Sequence, residues 1–77
     1  MATVRFFGPV RDAMGCRELV VRASTLDELT AACARRSPDG AAHLATCAVW
    51  INGEPTAGGA TLDDDDEVAF LSAVSGG

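Results

Sequence analysis

The sequence predicts an α+β domain: one mixed sheet of four to five strands with one main helix packed on one face. Three observations lead there. Apolar residues alternate near both ends of the chain, in TVRFFG and EVAFLS; the period lengthens toward 3.6 in one window only, STLDELTAACARRSPDG; and 77 residues leave room for a single small core.

In the first strand Val4 and Phe6 share one face, and Arg5 and Phe7 the other. GPVRDAMG is bounded by glycines and holds Pro9, which predicts a loop with one helical turn around Arg11 to Met14. CRELVVRA is a second β-prone run, with Leu19 and Val21 inward, so the first two strands form an antiparallel hairpin across a long loop. In the helical window Leu26, Leu29 and Cys33 fall on one stripe with Ala32 beside them. Thr25 and Glu28 have capping-box spacing, with Ser24 and Asp27 in the neighbouring register. Arg35 and Arg36 suit the last turn, and Pro38 disfavours helical geometry at Ser37.

AAHLAT has no clear period. CAVWING is a strand ending in Asn52-Gly53, the dipeptide of a type I′ turn. Pro55 and the Gly58-Gly59 pair confine EPTAGGATL to a short edge strand or an irregular segment. DDDDEVAFLS is an acidic turn leading into a last strand, with Val68 and Phe70 facing the core. The order is β-β-α-β-(β)-β, with residues 1–72 as the domain and residues 73–77 as a tail. One helix leaves the opposite sheet face thinly covered. Phe7, Leu71 and Trp50 fall there in the alternation, and an exposed apolar patch of that kind is a docking surface.

Composition narrows the function. The chain is 48% hydrophobic, enough to fold, but it has no apolar run of membrane-spanning length and no extended apolar signal segment, which predicts a cytoplasmic protein without a membrane role. A net charge of −5 with no lysine argues against nucleic acid and for a basic protein surface as partner. Cys16, Cys33 and Cys47 are an odd, irregularly spaced set, suited neither to a disulfide framework nor to zinc or an iron–sulfur cluster. They read as small structural hydrophobes, with a reactive thiol open only to Cys16. The Asp63–Asp66 run lacks the alternating ligands of a calcium loop and reads as a solvated turn. His43 is the only histidine and has no evident nucleophile to serve. No bound cofactor or metal is expected.

What distinguishes the chain is its end, Gly76-Gly77. At about 7% glycine usage such a pair arises by chance in roughly 0.5% of sequences, so it carries information. Beyond the last strand, Ala73-Val74-Ser75-Gly76-Gly77 would project as an arm whose distinctive group is the terminal carboxylate. Glycine has no Cβ, so the arm can enter a channel too narrow for other residues. A carboxylate is a poor electrophile, but adenylation makes it a mixed anhydride open to a sulfur or nitrogen nucleophile. The catalytic machinery would then belong to another protein.

Over its whole length the chain resembles the ThiS/MoaD family of β-grasp, ubiquitin-like sulfur carriers, and most the MoaD branch, the small subunit of molybdopterin synthase. The matching segments are VRFFGPVRDAMG, STLDEL, VWINGE and DDEVAFLSAVSGG. The long segment from Gly8 to Gly15 favours MoaD over ThiS. The resemblance implies an E1-like adenylating enzyme (MoeB/ThiF-like) that uses ATP on Gly77, and a sulfur donor system that displaces AMP to leave a thiocarboxylate. It also implies a large synthase subunit (MoaE-like) or another sulfur-accepting enzyme that receives the tail. In the MoaD case the acceptor is cyclic pyranopterin monophosphate.

Gly77 would be the covalent carrier, with Gly76 keeping the channel narrow and Phe7, Leu71, Val74 and Ser75 meeting the partner. The protein would have no catalytic site of its own and would act as the sulfur-donating small subunit of a synthase. Two departures stand out. Leu71-Ser72-Ala73 replaces the common Phe-Pro-Pro, which predicts a looser exit and a smaller apolar contact, and the acidic turn lacks its glycine. Alternatives are a carrier for thiamine, cysteine or a specialised metabolite, a ubiquitin-like protein modifier, and, in a different class, a non-catalytic interaction module.

Overall fold

The computed structural model describes residues 1–56 and 59–72. Among them the elements run β1 (Ala2–Phe7), α1 (Pro9–Met14), β2 (Glu18–Val21), α2 (Leu26–Arg36), α3 (Pro38–Thr46), β3 (Ala48–Ile51), β4 (Glu54–Thr56) and β5 (Glu67–Leu71). The sheet order is β2-β1-β5-β3-β4. The first and last strands pair in parallel at its centre, Val4 opposite Val68 and Phe6 opposite Phe70, and every other pair is antiparallel. This is the expected mixed sheet gripping a helix. The expected tail, residues 73–77, and Gly58 lie outside the described residues.

Alternation sorts the strands' side chains as the sequence predicts. Val4 and Phe6 from β1, and Val68 and Phe70 from β5, are buried beside Leu26, Leu29 and Cys33 of α2. The rings of Phe6 and Phe70 stack with centroids 5.9 Å apart. Each such large apolar side chain contributes about 1.5–3 kcal/mol by leaving water. No polar or charged side chain is buried among the described residues, so this core carries no desolvated polar group to compensate.

Helix α2 begins where its cap residue predicts: Thr25 Oγ1 accepts from the Glu28 N–H at 3.1 Å. It ends at Ser37, whose extended backbone precedes Pro38. The chain does not then become irregular. Pro38 sits at the first position of α3, where its missing N–H costs nothing, and Asp39 lies in the first turn. Helix α3 is an element the periodicity did not reveal, because its buried face consists of Gly40 and Leu44 alone. Gly40 lies directly on Met14 of α1, leaving no space for a Cβ. Ser37 Oγ donates to the Ala13 carbonyl at 3.1 Å, tying the α2–α3 junction to α1. Helix α1 is also longer than the single turn expected, starting at Pro9. So α2 is the main helix, with two shorter ones closing the same layer.

The Asn52-Gly53 turn has the expected hand, with φ of 51° and 82°, and joins β3 to edge strand β4 with Ile51 opposite Glu54.

Candidate functional site

The sheet face away from the helices is built by the odd members of each alternation. Arg5, Ala69 and Trp50 lie side by side across β1, β5 and β3, and Phe7 lies opposite Leu71. Phe7 is 49% exposed and Trp50 39%, whereas Phe6, one residue from Phe7, is 1% exposed. Arg5, Phe7, Trp50, Glu67, Ala69 and Leu71 line one shallow depression that is mostly apolar. The structure therefore brings Phe7, Leu71 and Trp50 together, as the alternation predicts. Val74, Ser75, Gly76 and Gly77 lie outside the described residues.

Charge is distributed unevenly around this face. Arg5 sits between two carboxylates, with Glu18 at 3.7 Å and Glu67 at 3.4 Å, on half-exposed side chains where such pairs contribute little. Arg11 and Arg17 line the neighbouring depression toward the C-terminal ends of β1 and β5. The acidic turn lies at the opposite end of β5. A net charge of −5 does not describe this face, where Arg5, Arg11 and Arg17 stand together with Glu18 and Glu67. Total charge carries no positions, and the rim of this face is of mixed sign.

The acidic run folds into a closed turn rather than a ligand cage. Asp66 accepts from the Asp63 N–H and from the Asn52 carboxamide, both at 2.8 Å. Those donors hold its carboxyl below the ordinary aspartate range. Asn52 Oδ1 in turn accepts from the Glu67 N–H at 2.9 Å, so the β3–β4 turn and the start of β5 are locked together. Among the described residues no group of three or more His, Cys, Asp or Glu is placed to hold a metal ion, and no helix is long and apolar enough to cross a membrane.

The three cysteines are free thiols. Cys33 is buried in the core, and that burial, with Cys16 nearby, pushes its thiol up to about 11. Cys47 is half-buried and is also raised by burial, with the Ser72 hydroxyl pulling it back. His43 is exposed on α3, and its carbonyl accepts from Thr46 Oγ1 and Cys47 Sγ.

At the end of β5 the chain is tied down on two sides. The Ser72 N–H donates to the Phe7 carbonyl at 3.2 Å, and Ser72 Oγ accepts from the Val10 N–H at 2.8 Å. Serine in place of proline predicts a looser exit, yet Ser72 itself is held by side chain and backbone alike. Sequence pattern does not mark this residue as part of a site. Its partner lies 62 positions away, a separation that no local pattern reports.

Comparison with known proteins places this geometry. The sequence profile of the ThiS family matches residues 4–77. The chain belongs to the ThiS family. A search of curated protein sequences gives no match. Among solved structures, SAMP1 from Haloferax volcanii superposes with a TM-score of 0.88 at 23% identity, covering 99% of this chain and 98% of that one. A chain in the complex of subunits 1 and 2 of the molybdopterin-converting factor from Helicobacter pylori 26695 is similar at 28% identity and a TM-score of 0.77, covering 99% of this chain and 97% of that one. A putative molybdopterin converting factor subunit 1 from Pyrococcus furiosus aligns at 18% identity and a TM-score of 0.84, covering 95% and 97%. The β-grasp, ubiquitin-like fold is thus shared with both sets of structures. Family membership makes the chain a ubiquitin-fold protein of the sulfur-carrier type.

Proposed function

We propose that the protein carries sulfur as a thiocarboxylate on Gly77 and donates it in molybdopterin biosynthesis, docked through the Phe7–Leu71 face on a larger synthase subunit. The observation that carries this reading is one of placement. The family match runs through the Gly76-Gly77 pair, and the last strand before that pair ends at the edge of an exposed apolar patch. The sequence similarity to a converting-factor subunit solved in complex with a second subunit supports the choice of partner.

The chemistry follows from the carboxylate. Its oxygen attacks the α-phosphorus of ATP on an E1-like enzyme, releasing pyrophosphate and leaving an acyl adenylate. A sulfur nucleophile from a donor system then displaces AMP. ATP belongs to the activating partner, and the carrier itself binds no cofactor. Gly76, without a side chain, lets the end enter a narrow channel. Val74 and Ser75 meet the walls of that channel, while Phe7, Leu71 and Trp50 supply the apolar contact on the sheet.

The test is the intact mass of the purified protein after incubation with extract of its own cells, ATP and a sulfur source, beside a variant lacking Gly77. The expected result is a gain equal to exchanging one oxygen for sulfur, present only in the full chain. No gain in an extract of demonstrated activity would refute the carrier reading, and higher-mass protein conjugates ending at Gly77 would reassign the tail to protein modification.

A further inference from the structure

Helix α1 starts without the usual help. Its N-cap is Gly8, which has no side chain to accept from the first-turn N–H groups. Gly8 adopts φ 82°, a conformation that other residues rarely adopt, and a Cβ there would stand 3.2 Å from Ser72 Cβ. The missing acceptor comes instead from Ser72, whose Oγ takes the Val10 N–H at 2.8 Å. A backbone bond from the Ser72 N–H to the Phe7 carbonyl continues the β1–β5 ladder one residue past its last pair, Phe7 opposite Leu71. Two elements, β1 and α1, therefore meet at Ser72.

We propose that Ser72 is a positioning residue for the chemistry at Gly77: its hydroxyl, bonded to the Val10 amide above Gly8, holds the end of β5 in one place while the carboxylate is activated. This rests on the carrier reading above. The reacting carboxylate belongs to Gly77, five residues beyond Ser72, so Ser72 is the nearest residue held by the folded domain. A pre-set root lowers the ordering cost of bringing the carboxylate to the activating site. Docking is a separate matter, carried by Phe7, Leu71 and Trp50 on the outer face.

That separation supplies the test. With the adenylating enzyme of the same organism, ATP–pyrophosphate exchange is followed while the carrier concentration is varied, for the wild type, Ser72→Ala, Ser72→Thr and a variant lacking Gly77. Ser72→Ala is expected to lower kcat about three- to tenfold, the range one hydrogen bond spans, with KM within about twofold. Ser72→Thr keeps the hydroxyl and should recover most of the rate. Amide hydrogen exchange at Val10 should accelerate in Ser72→Ala and not in Ser72→Thr. A Ser72→Ala protein with wild-type kcat, an effect confined to KM, equal loss in both variants, or unchanged Val10 exchange would each overturn the proposal. If the wild type is activated no better than the variant lacking Gly77, the carrier reading itself falls, and the role of Ser72 falls with it.

Discussion

Phe6 and Phe7 are the same residue in adjacent positions, and the sheet gives them opposite tasks. Phe6 is 1% exposed and stacks on Phe70 under the helices, while Phe7 is 49% exposed beside Trp50 and Leu71. Three helices cover one face, and none among the described residues covers the other. A small domain with one core cannot clothe both sides of its sheet, and the bare side becomes available for another protein. Stability and recognition thus divide along a period of two, so that neighbouring substitutions should have unlike effects.

The division breaks most visibly at Phe6. Phe6→Ala should cost about 3–5 kcal/mol, a large part of the stability of so small a domain, read as a collapse of the urea midpoint. Next comes the helical layer that makes the inner face. Gly40→Ala places a methyl against the Met14 side chain in a buried contact, and a net loss of about 1–2 kcal/mol is expected after the gain in helix propensity. Calorimetry would check it; an unchanged melting temperature would mean that Met14 moves aside freely. Thr25→Ala removes the cap of α2 and should cost about 1 kcal/mol in the same assay. Smallest in stability is Phe7→Ala, expected within about 0.5 kcal/mol of wild type. Its effect should appear instead in titration calorimetry against the proposed synthase partner, as at least a tenfold weaker Kd. Should Phe7→Ala unfold the protein, the two faces are not independent.

Much of this division can be read from the sequence. The alternation in TVRFFG and EVAFLS places Val4, Phe6, Val68 and Phe70 inside and Phe7 and Leu71 outside. The stripe Leu26, Leu29, Cys33 and the Asn52-Gly53 turn stand where local physics puts them. Helix α3 is hidden because a face of Gly40 and Leu44 is too sparse to show a period. The mixed charge around the outer face is hidden because net charge says nothing of which side chains the fold brings together. Ser72 is hidden for a deeper reason: it caps a helix from the far end of the chain, and only the closed sheet makes the two ends neighbours. Gly8-Pro9 marks a turn in the sequence but carries no sign of the residue that caps the helix after it.

The parallel pairing of β1 and β5 has a practical consequence for handling the protein. Because both strands run the same way, Met1 stands near the acidic turn, its ammonium 3.4 Å from Asp64, at the end of the sheet opposite Ser72. A strand of this length spans roughly 17–20 Å. An affinity handle, fluorophore or surface tether joined at the amino end therefore sits a full strand away from Ser72, and the protein can be immobilised that way with the end of β5 left open to a partner.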